Sequence, residues 1–145
     1  MSEVENFLTE VQEQQIVAAI RHAEKNTSGE IRVHIENHTD LDVLDRTKEV
    51  FHFLKMDNTQ QRNGVLIYVA VHDHTFAIYG DEGINKVVKN NFWESTRDAI
   101  LSKFKDGNFT QGLIDGVIMA GEQLQKYFPW EHGDINELPD EISKG

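Results

Sequence analysis

The feature that most constrains the fold is an uninterrupted apolar run, VLIYVAV, at residues 65–71. Such a run, rich in β-branched residues, is typical of a central strand that is covered on both faces. Only His72, Asp73 and His74 separate it from a second strand-like stretch at 75–79. A connection this short permits an antiparallel hairpin, because a parallel crossover needs a dozen residues or more. The sequence therefore predicts a hairpin that includes a buried central strand.

Hydrophobic periodicity predicts one further strand and several helices around this hairpin. Thr9 followed by Gln12 has the pattern of a capping box, which begins a helix. The last helix spaces Gly112, Gly116 and Ala120 four residues apart, which predicts a smooth face that lies close to a neighbour. The predicted spans are a strand at 31–36, with one face better buried than the other, and helices at 9–25, 43–54, 84–104 (with a break near 90–91) and 110–128. This order predicts an α/β fold, a three-layer α/β/α sandwich with a small mixed central sheet of about four strands.

Charge and composition narrow the classes of function. The chain has no cysteine, which excludes disulfide frameworks and Cys-ligated zinc. Its net charge of -11 repels nucleic acids and anionic membranes and attracts divalent cations. The apolar run is too short to cross a bilayer and no signal peptide is visible at the start, so we expect no membrane insertion and a cytoplasmic location.

The sequence shows no internal repeat and no linker. Only residues 131–145 differ in character, with five acidic residues and a single lysine. We expect a single domain at 1–130, followed by an acidic tail at 131–145 that is docked on the domain or trails from it. Ile135, Leu138 and Ile142 are the tail residues that could dock.

The predicted topology brings acidic residues from distant segments to one end of the sheet. If a right-handed crossover joins the strand at 31–36 to the strand at 65–71, the two run parallel. The start of each of these strands and the end of the third strand then lie at the same end of the sheet. That end carries Glu30, Asp57, Asn58, Asp81 and Glu82, beside Gly29, Gly80 and Gly83. Carboxylate, amide and backbone carbonyl oxygens are ligands of Ca²⁺. From spacing alone, however, we favour the interpretation that Asp81 and Glu82 cap the following helix and that Glu30 is a solvated strand end.

The opposite end of the sheet collects a second polar group of residues. It comprises Asp40, Asp42, Asp45, Asp73, His38, His72 and His74. A histidine-rich set would suit zinc or copper. The interpretation we favour is a helix N-cap beside a polar hairpin tip.

The chain resembles the TPM domain family over nearly its whole length. The resemblance rests on SGEIRV at 28–33, on NGVLIYVAVHDHTFAIYGDEGI at 63–84 and on FWESTRDAI at 92–100. It continues through FKDGNFTQGLIDGV at 104–117 and DINELPDEIS at 134–143. The versions that it resembles consist of one TPM domain without a secretion signal or membrane helix.

The resemblance implies an α/β/α sandwich with a divalent-metal site where loops meet at one side of the sheet. The resemblance implies that Glu30, Asn63, Asp73 and Asp81 are metal ligands. Asp57 and Glu82 match the family less securely. The ion is expected to be Ca²⁺, with Mg²⁺ as the alternative. Some relatives are described as acid phosphatases and others assist membrane complexes or receptors. His74 stands where an arginine commonly follows the hairpin aspartate, which weakens a phosphatase interpretation because arginine would bind an anionic group.

These observations favour a divalent-metal-binding protein with a regulatory or accessory role. The ion is expected to hold the loop that enters the second strand against the loop that leaves the third. Two alternatives stay open: a metal-assisted acid phosphatase, and a module for a protein partner in which the metal is purely structural. No nucleic-acid partner is expected.

Overall fold

The protein is built around a mixed sheet that contains the predicted hairpin and the predicted parallel crossover. The computed structural model describes residues 6–89, 91–130 and 141–145. In chain order the elements are α1 (Glu10–Glu24), β1 (Glu30–Glu36), α2 (Val43–Phe53), β2 (Gly64–Ala70), β3 (Thr75–Gly80), α3 (Glu82–Asn85), α4 (Glu94–Lys105), α5 (Phe109–Tyr127) and β4 (Ser143–Lys144). The strand order is β3-β2-β1-β4. β1 is parallel to β2, with Glu30 opposite Gly64, and β3 is antiparallel to β2.

Helices cover both faces of the sheet and form two apolar cores. On one face Val50, Phe51 and Met56 lie against Leu66 and Tyr68 of β2. On the other face, residues of α1, α4 and α5 contact the opposite side chains of β1 and β2. Every residue of β2 is buried, as the apolar run predicts. The expected three-layer α/β/α sandwich is therefore confirmed.

Small residues on α5 bring that helix close to its neighbours. A Cβ atom at Gly116 would lie 2.5 Å from Cδ1 of Ile100 on α4. A Cβ atom at Gly121 would lie 2.6 Å from Cβ of Ala23 on α1. The small-residue face predicted for this helix is confirmed. It lies close to α4 at Gly116, and a further glycine, Gly121, lies close to α1.

Three details differ from the sequence-based expectations. β1 has no exposed face, because Arg46 of α2 and the C-terminal residues Ser143 and Gly145 lie against His34 and Glu36. Helical spacing of the apolar residues at 43–54 predicts that Leu44 is buried on α2, but it is 40% exposed, and Val50 is buried on that helix instead. The break predicted near 90–91 within the helical stretch at 84–104 is wider in the structure, because α3 ends at Asn85 and α4 begins at Glu94.

The last residues of the chain dock on the sheet. β4 pairs parallel with β1, with Ser143 opposite His34, and Lys144 forms an ion pair with Glu13 of α1. Ile142 packs against the larger apolar core. The other two predicted docking residues, Ile135 and Leu138, lie outside the described residues. None of the described helices has the length and apolar character needed to span a bilayer.

The capping box at the start of α1 allows a direct test of the local structure. Thr9 Oγ1 accepts a hydrogen bond of 3.1 Å from Gln12 N, and Thr9 N donates one of 2.9 Å to Gln12 Oε1. We expect Thr9→Ala to lower the free energy of unfolding by about 1 kcal/mol, because the orphan amide of the first turn loses its acceptor. Urea denaturation measures this loss. Gln14→Ala, an exposed change within α1, is the control and should stay within about 0.5 kcal/mol of the parent protein.

Candidate functional site

The first candidate site lies at the end of the sheet where β1 and β2 begin and β3 ends, which we call the Asp81 end. Asp81 N donates to Gly64 O at 3.0 Å, and Glu30 N donates to Asn63 O at 3.3 Å. The exposed fractions of Glu30, Asn63 and Asp81 are only 2%, 2% and 1%. The prediction that residues 30 and 81 meet at one end of the sheet is confirmed. It follows from the parallel crossover and the hairpin alone.

Arg62 supplies a positive charge at this end of the sheet. Its Nε donates to Asp81 Oδ2 at 3.1 Å, and one terminal nitrogen lies 3.7 Å from Glu82 Oε2. The hydrogen bond to Asp81 raises the pKa of Arg62, and the charges of Asp81, Glu82 and Asp57 add to the effect. Carboxylates from two separate loops therefore interact with one guanidinium. The side chain of Arg62 is 43% exposed.

The other oxygen of Asp81 is engaged by the backbone. Asp81 is the N-cap of α3, and its Oδ1 accepts a hydrogen bond of 2.7 Å from Glu82 N. The loop that leads into β2 and the start of α3 are also joined directly, because Gly83 N donates to Arg62 O at 2.8 Å. The two loops at the Asp81 end are thus held together by an ion pair and a backbone hydrogen bond.

The remaining predicted ligands at this end are more exposed. Asp57 is half-buried and lies 3.2 Å from His52 Nδ1, whereas the side chain of Glu82 is 65% exposed. Asn63 donates through Nδ2 to Ser28 Oγ at 3.2 Å. Throughout the described part of the chain, no three histidine, aspartate or glutamate side chains are grouped so as to hold a metal ion. A preformed cage of carboxylates is therefore not present among these residues, and the cation beside Asp81 is the guanidinium of Arg62.

Asp73 lies at the opposite end of the sheet, which we call the hairpin end. Its Oδ1 is 2.6 Å from His38 Nδ1, and its Oδ2 accepts a hydrogen bond of 3.0 Å from Thr39 N. His38 Nε2 is in turn 2.7 Å from Asp40 Oδ1. The hydrogen bond with Asp73, followed by the one with Asp40, raises the pKa of His38.

Asp73 therefore fastens the hairpin tip to the loop after β1. The structure separates it from Glu30 and Asp81, with which the resemblance grouped it as a ligand. The N-cap of α2 is Asp42, whose Oδ2 accepts from Leu44 N at 3.1 Å. Both observations agree with the interpretation of this end as a helix cap beside a polar hairpin tip.

A buried ionic network lies where β1 ends, and the sequence does not predict it. Glu36 is 5% exposed and accepts hydrogen bonds from Arg46 Nε at 2.8 Å and from a terminal nitrogen of Arg46 at 3.0 Å. It also accepts one from the Tyr68 hydroxyl, and its Oε1 lies 3.1 Å from His34 Nε2. The ring of His34 reaches Ser143 Oγ of β4 at 2.9 Å.

The network keeps Glu36 ionised in spite of its burial. Burial by itself would raise the pKa of Glu36, but hydrogen bonds from Arg46, Tyr68 and His34 outweigh it and lower the pKa from 4.5 to about 2. Burial, together with the hydrogen bond to Glu36, raises the pKa of Tyr68. Burial lowers the pKa of His34, although Glu36 opposes that shift. The network joins β1, β2, α2 and β4, so we assign it a structural role.

Comparisons with known proteins agree with this architecture. The family model of the TPM domain matches residues 1–123. The NMR structure of the BA42 protein from the psychrophilic bacterium Bizionia argentinensis is 63% identical, with all of both chains covered and a TM-score of 0.93. No match was found among the curated proteins.

Two more distant structures share the fold. The N-terminal domain of a P. gingivalis protein is 19% identical, with 87% of this chain and 83% of that chain covered and a TM-score of 0.70. The N-terminal domain of a Corynebacterium glutamicum protein is 13% identical, with 90% and 84% covered and a TM-score of 0.65.

Proposed function

The chain belongs to the TPM domain family, and from this premise we propose that it is an accessory domain regulated by a divalent cation, Ca²⁺ in the first place and Mg²⁺ as the alternative. The proposed ligands are Glu30, Asn63 and Asp81, with Asp57 and Glu82 close to them. Binding exchanges the Arg62 guanidinium for the ion.

The observation that carries the proposal is the pairing of Asp81 with Arg62. Asp81 is almost fully buried, and a buried carboxylate needs a cation beside it. Its partner Arg62 is 43% exposed, so the guanidinium can turn into solvent without leaving a buried cation behind. The Arg62 side chain also interacts electrostatically with Glu82 and Asp57. Removal of the guanidinium would leave these acids without their shared counter-charge.

The donor chemistry fits a hard cation. Carboxylate and amide oxygens on loops are what Ca²⁺ prefers, and the family resemblance points to the same residues. Because Asp81 is already paired with Arg62, an ion that binds here would compete with the guanidinium for one carboxylate. Arg62 therefore sets the affinity of the site, and the ion would bind only where its concentration overcomes that competition.

A regulatory consequence follows from the loops that meet here. Arg62 lies in the loop that enters β2, and its carbonyl oxygen accepts the hydrogen bond from Gly83 in α3. The backbone of Arg62 has a φ of 51°, a conformation that side-chain-bearing residues seldom adopt. Release of the Asp81 ion pair removes one of the contacts that hold this conformation. The proposed exchange thus couples cation binding to the shape of both loops.

Calorimetric titration of three variants with CaCl2 tests the proposal. We expect Arg62→Gln to bind Ca²⁺ at least about tenfold more tightly than the parent protein, because a hydrogen bond to a charged group is worth about 1.5–3 kcal/mol. Asp81→Asn should reduce Ca²⁺ binding below detection while it preserves the cap of α3, since asparagine is an equally good N-cap. Lys105→Gln is the control for net charge. It makes the same change in charge beside His74 at the hairpin end and should leave the affinity unaltered.

The outcomes separate the proposal from its alternatives. An Arg62→Gln protein that binds Ca²⁺ no better than the parent would refute competition at Asp81. Hydrolysis of a generic phosphoester at mildly acid pH, abolished both by chelation and by Asp81→Asn, would favour a metal-assisted acid phosphatase. A protein partner retained through complete removal of Ca²⁺ would favour a binding module with a purely structural metal.

A further inference from the structure

The outer side of β3 presents backbone groups that the sheet does not use. β3 is an edge strand of the sheet. Because Asp81 N donates to Gly64 O, hydrogen-bonded pairs with β2 fall at Tyr79 and Ala77. The N–H and C=O groups of the alternate residues Phe76 and Ile78 therefore point away from β2. No described segment pairs with this side of the strand.

This side of β3 forms the floor of a groove of about 300 Å³, which we call the outer groove. Val43 and Leu44 of α2 form one wall, and Leu44 is 40% exposed. The other wall consists of Trp93, Glu94 and Arg97, at the beginning of α4. Two helices thus flank an open strand edge, which is the geometry in which sheets accept an added strand.

Two further observations favour a ligand in the outer groove. The indole Nε1 of Trp93 is buried and donates no hydrogen bond within the described part of the chain. It lies beside β3, since a Cβ atom at Gly80 would be 3.2 Å from it. β3 also lacks the features that normally protect an edge strand, because TFAIYG contains neither proline nor a charged residue. The edge of β1, by contrast, pairs with β4.

We propose that the outer groove binds an extended, basic segment of a partner protein as a fifth strand. Main-chain groups of the segment would pair with Phe76 and Ile78. In an extended segment alternate side chains face opposite sides, so apolar residues would meet Val43 and Leu44. Basic residues would face the wall of Trp93 and Glu94, where both a carboxylate and an aromatic face attract cations.

Charge decides between a basic partner and a second copy of this chain. The net charge of -11 attracts a cationic segment and opposes the approach of an identical chain. Arg97 lies on the same wall as Glu94, so this wall carries one charge of each sign. The preference for a basic or an acidic partner is therefore determined by the electrostatic field of the whole molecule. We therefore commit to a cationic partner with alternating apolar residues.

Hydrogen exchange measured by NMR tests the proposal with defined peptides. The probe is a capped heptapeptide of alternating lysine and valine, and an aspartate–valine peptide of the same length is its counterpart. In the free protein we expect the amides of Phe76 and Ile78 to exchange faster than those of Ala77 and Tyr79, which are bonded to β2. Saturation with the basic peptide should slow exchange at Phe76 and Ile78 at least about tenfold.

Two substitutions, at leucines of nearly equal exposure, test whether the basic peptide binds in the outer groove. Leu44→Asp should weaken binding of the basic peptide by at least about fivefold. Leu101→Asp, a change at a leucine of 41% exposure that lines a different cavity, should leave it unchanged. Unaltered exchange at Phe76 and Ile78 on saturation, or equal binding of the acidic peptide, would overturn the proposal. Protection that appears without peptide as protein concentration rises would replace the partner with a second copy.

Discussion

Glu36→Ala is expected to lower the free energy of unfolding by about 3–5 kcal/mol, the cost of removing one member of a buried ionic network. Arg46, Tyr68 and His34 would each lose an interaction with the carboxylate. Urea denaturation at neutral pH measures the effect. Glu49→Ala is a stringent control, because Glu49 also contacts Arg46, at 3.1 Å, but its side chain is 54% exposed. That variant should lose less than about 1 kcal/mol, as exposed ion pairs do.

The network also predicts how stability depends on pH. The pKa of Glu36 falls from 4.5 to about 2 on folding, so the unfolded chain binds the proton more readily. The stabilisation is therefore complete above pH 4.5 and is lost as the pH falls through about 2. Glu36→Gln removes this titration, so its stability should change less than that of the parent protein between these two pH values. Equal pH profiles for the two proteins would show that Glu36 is not held ionised by its partners.

Gly83→Ala is the second change for which we expect a large effect. A Cβ atom at position 83 would lie 2.1 Å from Gln61 O and 2.5 Å from Arg62 O, both of which are backbone atoms. The two loops of the Asp81 end would have to separate, and the hydrogen bond from Gly83 N to Arg62 O would break or lengthen. We expect a loss of about 1–3 kcal/mol or more from overpacking, with NMR shifts concentrated at residues 61–63 and 80–84.

A second glycine provides the control for this steric argument. Nothing lies within 4 Å of a Cβ atom at Gly107, although its φ is 76°. Asparagine tolerates that conformation, so Gly107→Asn should cost less than about 1 kcal/mol. A Gly83→Ala protein as stable as Gly107→Asn, with unshifted signals at 61–63, would contradict the close approach of the two loops.

The sequence predicts most of the fold, because the strongest signals are local. The short connection at 72–74 requires a hairpin, and the span of 37–64 between the first two strands allows a crossover. The position of Glu30 beside Asp81 then follows from topology. Arg62 could not be found in this way, since its contact with Asp81 depends on a loop conformation with positive φ that no periodicity reports.

The Glu36 network was missed for a different reason. Alternation along 31–36 assigns His34 and Glu36 to the less buried face, yet Arg46 and Ser143 lie against that face and both residues are buried. One signal does exist: the sheet has helices on both sides, so the polar residues of its inner strands must find partners in the core. The parallel register places His34 opposite Tyr68, and from that pairing a polar network could be inferred.

The pairing of β4 with β1 has a consequence for the order of folding. His34 and Ser143 are 109 residues apart in the sequence, so their contact closes almost the entire chain into a loop. Closure of so long a loop has a high entropic cost, and it gains little from the two residues of β4. We therefore expect the hairpin and the crossover to form the folding nucleus and β4 to attach after the rate-limiting barrier. Changes in β4 would then accelerate unfolding while the rate of folding stays nearly constant.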